Sequence, residues 1–229
     1  MKKIFLISVL FVITMNVSAQ YGSSEGGFRL GLTAGINFSN MSIKEDGKDV
    51  GSNYSAKTGF KIGAIAEYAF NDYFALSPEL VFTQRGFKEK ISETYMGYDV
   101  SGEGKLNINY LQLPVNVIVM YPVSDDFKIM GIVGPYFAYA LSGKVTAEGT
   151  AKGNGVSSST DSEEKLKFGS GEDEVKPSDI GLTIGAGVEF YSFFFRVQYE
   201  LGLGNLSNDE YSTVRNRNFG LSIGYLFSF

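Results

Sequence analysis

"DIGLTIGAGVEF", residues 179–190, decides the fold. Ile180, Leu182, Ile184, Ala186, Val188 and Phe190 fill every second place, and Gly181, Thr183, Gly185, Gly187 and Glu189 stand between them. A helix turns about 100° per residue and would scatter such a pattern around its axis. A strand sends successive side chains to opposite faces and keeps each set together. "FRLGLTAGINFS", residues 28–39, repeats the pattern. Phe28, Leu30, Leu32, Ala34, Ile36 and Phe38 share one face; Arg29, Gly31, Thr33, Gly35, Asn37 and Ser39 share the other.

Extended along the chain, the alternation predicts eight strands, at 28–39, 58–70, 73–88, 105–121, 126–143, 179–191, 193–204 and 217–229. Their connections sort by length. "NDY" at 71–73, "VSDD" at 123–126 and "YSF" at 191–193 are tight; 40–57, 89–104, 144–178 and 205–216 are long and polar. Within the longest, "GTAKGNGVSSST" (149–160) reads as mobile loop from its Gly/Ser/Thr content. Tight turns at one end and long loops at the other, with an even strand number, is the layout of a bacterial outer-membrane barrel. A β-sandwich has no reason to sort its connections. The expected fold is all-β, an eight-stranded antiparallel up-and-down transmembrane β-barrel filling residues 20–229 as one domain.

The chemistry of the faces sets their direction. On 193–204, Phe193, Phe195, Val197, Tyr199, Leu201 and Leu203 oppose Phe194, Arg196, Gln198, Glu200, Gly202 and Gly204. Arg or Lys on a lipid-facing surface costs about 2–4 kcal/mol near the midplane, so the polar face turns inward. A lipocalin-like soluble barrel would be built the other way round. Eight strands leave an interior that side chains roughly fill. Lys61, Glu67, Glu79, Arg85, Glu189, Arg196 and Glu200 therefore read as ion pairs plugging the lumen rather than a pore lining. The tight turn at 191–193 suggests Glu189 and Arg196 as a cross-strand lumen pair.

Both ends of the chain carry export signals. "MKKIFLISVLFVITMNVSAQ" has Lys2 and Lys3, an apolar run and a small-residue site after Ala19, the three parts of a signal peptide over residues 1–19. The run is shorter than the ~20 residues a spanning helix needs. No Cys follows, so neither disulfides nor a lipidated N-terminal Cys is expected. The chain ends "GLSIGYLFSF", 220–229, with aromatics at alternate places. Gly224, Phe227 and Phe229 resemble the terminal signal by which the outer-membrane barrel assembly machinery recognises its substrates; Ile223 departs from that pattern, which prefers a polar residue there.

Three segments carry a family resemblance: "FRLGLTAGINFSN" (28–40), "YLQLPVNV" (110–117) and "GPYFAYALSGK" (134–144). In order and spacing they resemble the PorT-like outer-membrane β-barrel family of Bacteroidetes. That resemblance implies an eight-stranded outer-membrane barrel of mostly unassigned function. One branch takes part in a secretion system, but no residue here selects that branch, and the family brings no catalytic motif.

Composition narrows the function classes. Without its first two lysines the chain holds 18 basic against 25 acidic residues, which argues against a nucleic-acid partner. Histidine is absent, which removes Ser–His and Cys–His catalysis. Glu172, Asp173 and Glu174 are oxygen ligands of the kind calcium takes, but three adjacent acids do not match a spaced calcium loop and read as a solvated loop. No cofactor and no metal are expected. The expected function is non-enzymatic, structural or in surface recognition, through the long outer loops. The alternatives are a subunit of an envelope secretion or transport assembly, and a narrow channel. Expected partners are outer-membrane lipid, the assembly machinery, and a protein or surface ligand at the outer loops.

Overall fold

A computed structural model of the chain describes residues 27–50, 54–95, 98–153, 156–171 and 174–228. The expected signal peptide, Glu172, Asp173 and Phe229 lie outside the described residues. Among the described residues ten strands form: β1 (Gly27–Glu45), β2 (Lys48–Asp49), β3 (Tyr54–Ala69), β4 (Phe74–Tyr95), β5 (Tyr98–Ser124), β6 (Phe127–Gly153), β7 (Val156–Lys165), β8 (Ser178–Phe190), β9 (Phe193–Gly202) and β10 (Ser212–Ser228). Eight of them close a ring in the order β1, β3, β4, β5, β6, β8, β9, β10 and back to β1, every neighbour antiparallel. The closing ladder runs from Arg29 opposite Ser228 to Glu45 opposite Ser212. β2 only folds back on the end of β1, and β7 only on the upper half of β6.

The ring is apolar outside and polar inside. Leu32, Ile184 and Ile223 are each 62% exposed, whereas Asn37, Arg85 and Asn116 are fully buried. Water would reverse this arrangement; hydrocarbon as the outer solvent accounts for it, and the lipocalin-like alternative falls away. Aromatic pairs mark both edges of the band. At the tight-turn end Tyr68 meets Phe70, Phe190 meets Tyr191, and Tyr225 meets both Phe193 and Phe227, all edge to face. At the other end Phe38 approaches Phe219, and Phe60 approaches Phe82. From Phe28 to Phe38, at ~3.3 Å per residue and a tilt of ~40°, β1 climbs about 25 Å, the height of a lipid-facing band.

Each tight turn has its own local cause. The Asn71 side chain accepts hydrogen bonds from the Tyr73 and Phe74 amides, each 2.9 Å, closing β3 onto β4. Between β8 and β9 only Tyr191 and Ser192 are unpaired, and Tyr191 takes a positive φ of 55°, which a two-residue hairpin requires. Gly35 and Gly134 are lumen-side glycines where a side chain would collide with the neighbouring strand's backbone.

The long connections differ from the sequence reading. Residues 89–95, 98–104 and most of 144–165 continue as strands. β4 pairs with β5 up to Tyr95 opposite Tyr98, β5 with β6 up to Asp99 opposite Lys152, and β6 with β7 up to Gly153 opposite Val156. The stretch read as mobile loop therefore belongs to a hairpin. Where it continues into β7, Ser159 to Lys165 are exposed on both faces, and no apolar alternation is needed there. β4 to β7 rise beyond the barrel as a four-stranded flap.

Candidate functional site

The lumen is filled in layers. Nearest the tight turns, Ile65, Ala75, Ile118, Met120, Met130, Phe194 and Leu226 form a buried apolar cluster. Beside it runs a chain of alternating charges. Arg29 of β1 donates to both oxygens of Glu189, at 2.5 and 3.0 Å, and to Glu67. Arg196 lies 3.6 Å from Glu67 and donates to Glu79 at 2.9 Å, with its guanidinium 4.1 Å from the centre of the Phe194 ring. Asn116 donates to the same Glu79.

Both Glu189 and Arg196 are thus buried in the lumen, as their alternation requires, but they do not pair. The two-residue turn sets Phe194 opposite Glu189 and Gly187 opposite Arg196, a displacement along the strands that the assumed three-residue turn missed. Their charge partners come from across the lumen. Gly224 also faces inward, where the Phe194 ring fills the space a side chain would need. Phe227 stands outside, in the tight-turn girdle.

Above this lies the widest polar layer. Arg85, fully buried, donates to Asp179 at 3.3 Å, to Glu200 at 2.5 Å and to Gln112. Its guanidinium stands over the rings of Tyr136 and Tyr110, at 4.9 and 5.6 Å. Tyr136 and Asn216 donate to Asp179, and Asn218 and Gln112 to Glu200. Lys61 donates to Gln198 at 2.8 Å. The cavity among Lys61, Glu79, Thr183 and Glu200 holds ≈ 10 Å³, room for no more than about one water. Every charge singled out as inward is buried here. Arg29 and Asp179 complete the set; their places on the inward parity of β1 and β8 were the signal that would have found them.

The mouth is apolar. Met41, Ile108, Tyr110, Tyr136, Ala138, Ala140 and Leu206 are buried together, with Leu166, Phe168 and Val175 folded over them. The 166–177 segment that supplies this cover is tied down by Asn208. Its amide donates to the carbonyls of Gly169, Gly171 and Glu174, and Lys176 reaches the carbonyl of Ser207 at 2.8 Å. The Glu174 carboxylate is engaged by the Gly171 amide. A groove of ≈ 380 Å³ remains between Met41, Phe87, Leu106, Leu166, Val175 and Val214. Nothing in the sequence marked this strap, because its apolar residues lie two or more apart among acids and glycines.

The sequence matches the outer membrane protein beta-barrel domain family over residues 18–208. Among solved structures it is similar to Ail of Yersinia pestis, at 21% identity over 88% of this chain and 99% of Ail, with a TM-score of 0.38. It is similar also to neisserial surface protein A, at 13% identity over 86% and 97% with a TM-score of 0.37. OprG of Pseudomonas aeruginosa shows 12% identity over 90% and 96%, with a TM-score of 0.30. No curated protein matches. With the family match running through β1 to β9, and an apolar wall turned outward along those strands, this chain belongs to the outer membrane protein beta-barrel domain family and lies in the bacterial outer membrane.

Proposed function

We propose that this barrel is a non-enzymatic surface-recognition protein, meeting its partners through the flap of β4 to β7 and the mouth beneath it rather than passing solutes. One contrast carries the reading. The lumen is packed through its polar layers, and its charged groups are engaged with one another or, for Lys61, with the Gln198 amide, whereas the flap stands clear of the membrane with Ser159 to Lys165 exposed on both faces. Recognition commonly falls to segments held out from a rigid scaffold. The same contrast speaks against a channel. The finer placement in the PorT-like branch rests on the three sequence segments that resemble it.

Cross-linking in intact cells, comparing the whole protein with one lacking residues 146–163, tests this. Attachment of a defined partner that depends on the flap is expected. Stable single-channel steps from the purified protein in planar bilayers would replace recognition by conduction. A second reading, a subunit of an envelope assembly, is favoured by one feature. Among the described residues nothing pairs with the outer edge of β7, and an open strand edge can accept a partner's strand. Co-purification at fixed stoichiometry, lost when that edge carries a proline, would select it.

A further inference from the structure

On the outer wall, just above the lipid band, lysines gather across four neighbouring strands. Lys57 of β3 reaches across Gly86, which has no side chain, and donates to Asn107 of β5 at 2.9 Å. Asn107 stands opposite Gly86 on one side and Lys144 of β6 on the other. In the adjoining row Lys88 of β4 stands directly opposite Lys105 of β5. Like charges in directly opposed positions are destabilising, and the chain as a whole is acidic, so average composition does not place them here.

Acids answer only part of the cluster. Lys105 is bridged to Glu103 and Glu148, and Lys144 to Glu163 at 2.9 Å. Lys57 and Lys88 have no carboxylate within ion-pair distance among the described residues. Lys57 is half-buried, and that burial, with Lys88 and Lys144 nearby, pushes its ammonium pKa below the ordinary lysine value.

Height identifies what faces the cluster. One row below Asn107 and Lys144 on the same wall are Asn109 and Ser142, opposite each other. Below those come the outward Phe82, Leu111 and Tyr139 at the top of the apolar band. Four residues of tilted strand from Phe82 to Gly86 rise about 10 Å, which is headgroup depth. Lys88, Lys105 and Lys144 alternate with the mouth-side Phe87, Leu106 and Gly143 and so face outward; Lys57, whose backbone stands opposite the lumen-side Ser39, turns its ammonium to the outward Asn107.

We propose that Lys57, Lys88 and Lys144 form a site for the phosphate of an anionic lipid headgroup in the outer leaflet. A lysine near an anionic lipid surface is worth about fivefold in affinity. Three together give about a hundredfold, because the Lys144–Glu163 pair is exposed, contributes little and can exchange its carboxylate for a phosphate.

The test uses the folded protein in phosphatidylcholine bilayer discs, titrated with fluorescent diphosphorylated lipid A. Replacing Lys57, Lys88 and Lys144 by Gln should raise Kd about a hundredfold. The control K44Q/K48Q/K167Q, which removes three exposed lysines elsewhere, should stay within about twofold, and the matching Lys→Arg triple should retain binding. Binding should weaken as salt rises. Unchanged affinity in the Gln triple, or equal binding of the dephosphorylated lipid, overturns the proposal. Complete displacement of the lipid by millimolar inorganic phosphate would make this a free-anion site and also overturns it. Should the triple fail to fold, Lys88→Gln alone is expected to raise Kd about fivefold, and no change there counts equally against the site.

Discussion

β4 and β5 cross two environments without interruption, and charge behaves differently in each. Inside the band Arg85 is fully buried and answered by Asp179, Glu200 and Gln112. Further along, in the flap, Lys105 pairs with Glu103 and Glu148, and all three reach solvent. The ladder is the same; the surroundings are not. In the lumen a charge must have partners, because removing one leaves another uncompensated in a low dielectric. In the flap water is the alternative partner, and an exposed pair contributes little. The barrel's stability thus lies in its lumen and lipid wall, and the flap is free to vary.

The largest expected effect tests the lumen side. Arg85→Ala should cost about 3–5 kcal/mol, since it strands Asp179 and Glu200. Urea unfolding in lipid vesicles measures it, and a loss below about 1 kcal/mol would mean that water reaches the layer. Next comes the wall. Ile184→Arg should cost about 2–4 kcal/mol if Ile184 lies near the midplane, in the same assay. A smaller effect sharpens the lumen map. In double-mutant cycles Arg29 and Glu189 should couple by about 0.5–3 kcal/mol. Glu189 and Arg196 should couple less, being joined only through Arg29 and Glu67. The reverse order would restore the direct cross-strand pair. Smallest is the flap. Replacing 146–163 by Asn-Gly should change stability by less than about 1 kcal/mol and leave a heat-modifiable band on gels, because it removes solvated ladder and slightly shortens a closed loop. Removing all of 144–178 is a different experiment: it takes Leu166, Phe168 and Val175 off the mouth.

Much of this was legible in the sequence where two solvents meet across one strand. Ile184 and Thr183, or Leu32 and Thr33, announce their faces because lipid and lumen impose opposite demands on alternate residues. The eight-strand ring, its closing strand and its tight turns followed from that contrast. The flap did not, because Ser159 to Lys165 of β7 are exposed on both faces and need no alternation. Nor did the partners of Glu189. Parity tells that a side chain points inward, but the barrel's closure decides that Arg29, far away in sequence, meets it. The lysine row was hidden for a related reason: Lys57, Lys88 and Lys144 are brought together by register across strands, with no local motif.

The lumen charges also bear on how the molecule is made. Arg29 lies on the first strand and its partner Glu189 near the end of β8; Arg85 on β4 waits for Glu200 on β9. No short run of neighbouring strands contains a complete set. A half-formed sheet placed in the bilayer would turn bare arginines and glutamates toward hydrocarbon, at a cost comparable to the stability of the finished barrel. Only when β10 zips to β1 do Arg29 and Glu189, and Arg85 and Glu200, face each other across a closed lumen. The ionic interior therefore ties burial in the membrane to closure: charges that an open sheet would leave bare are answered only across the finished lumen.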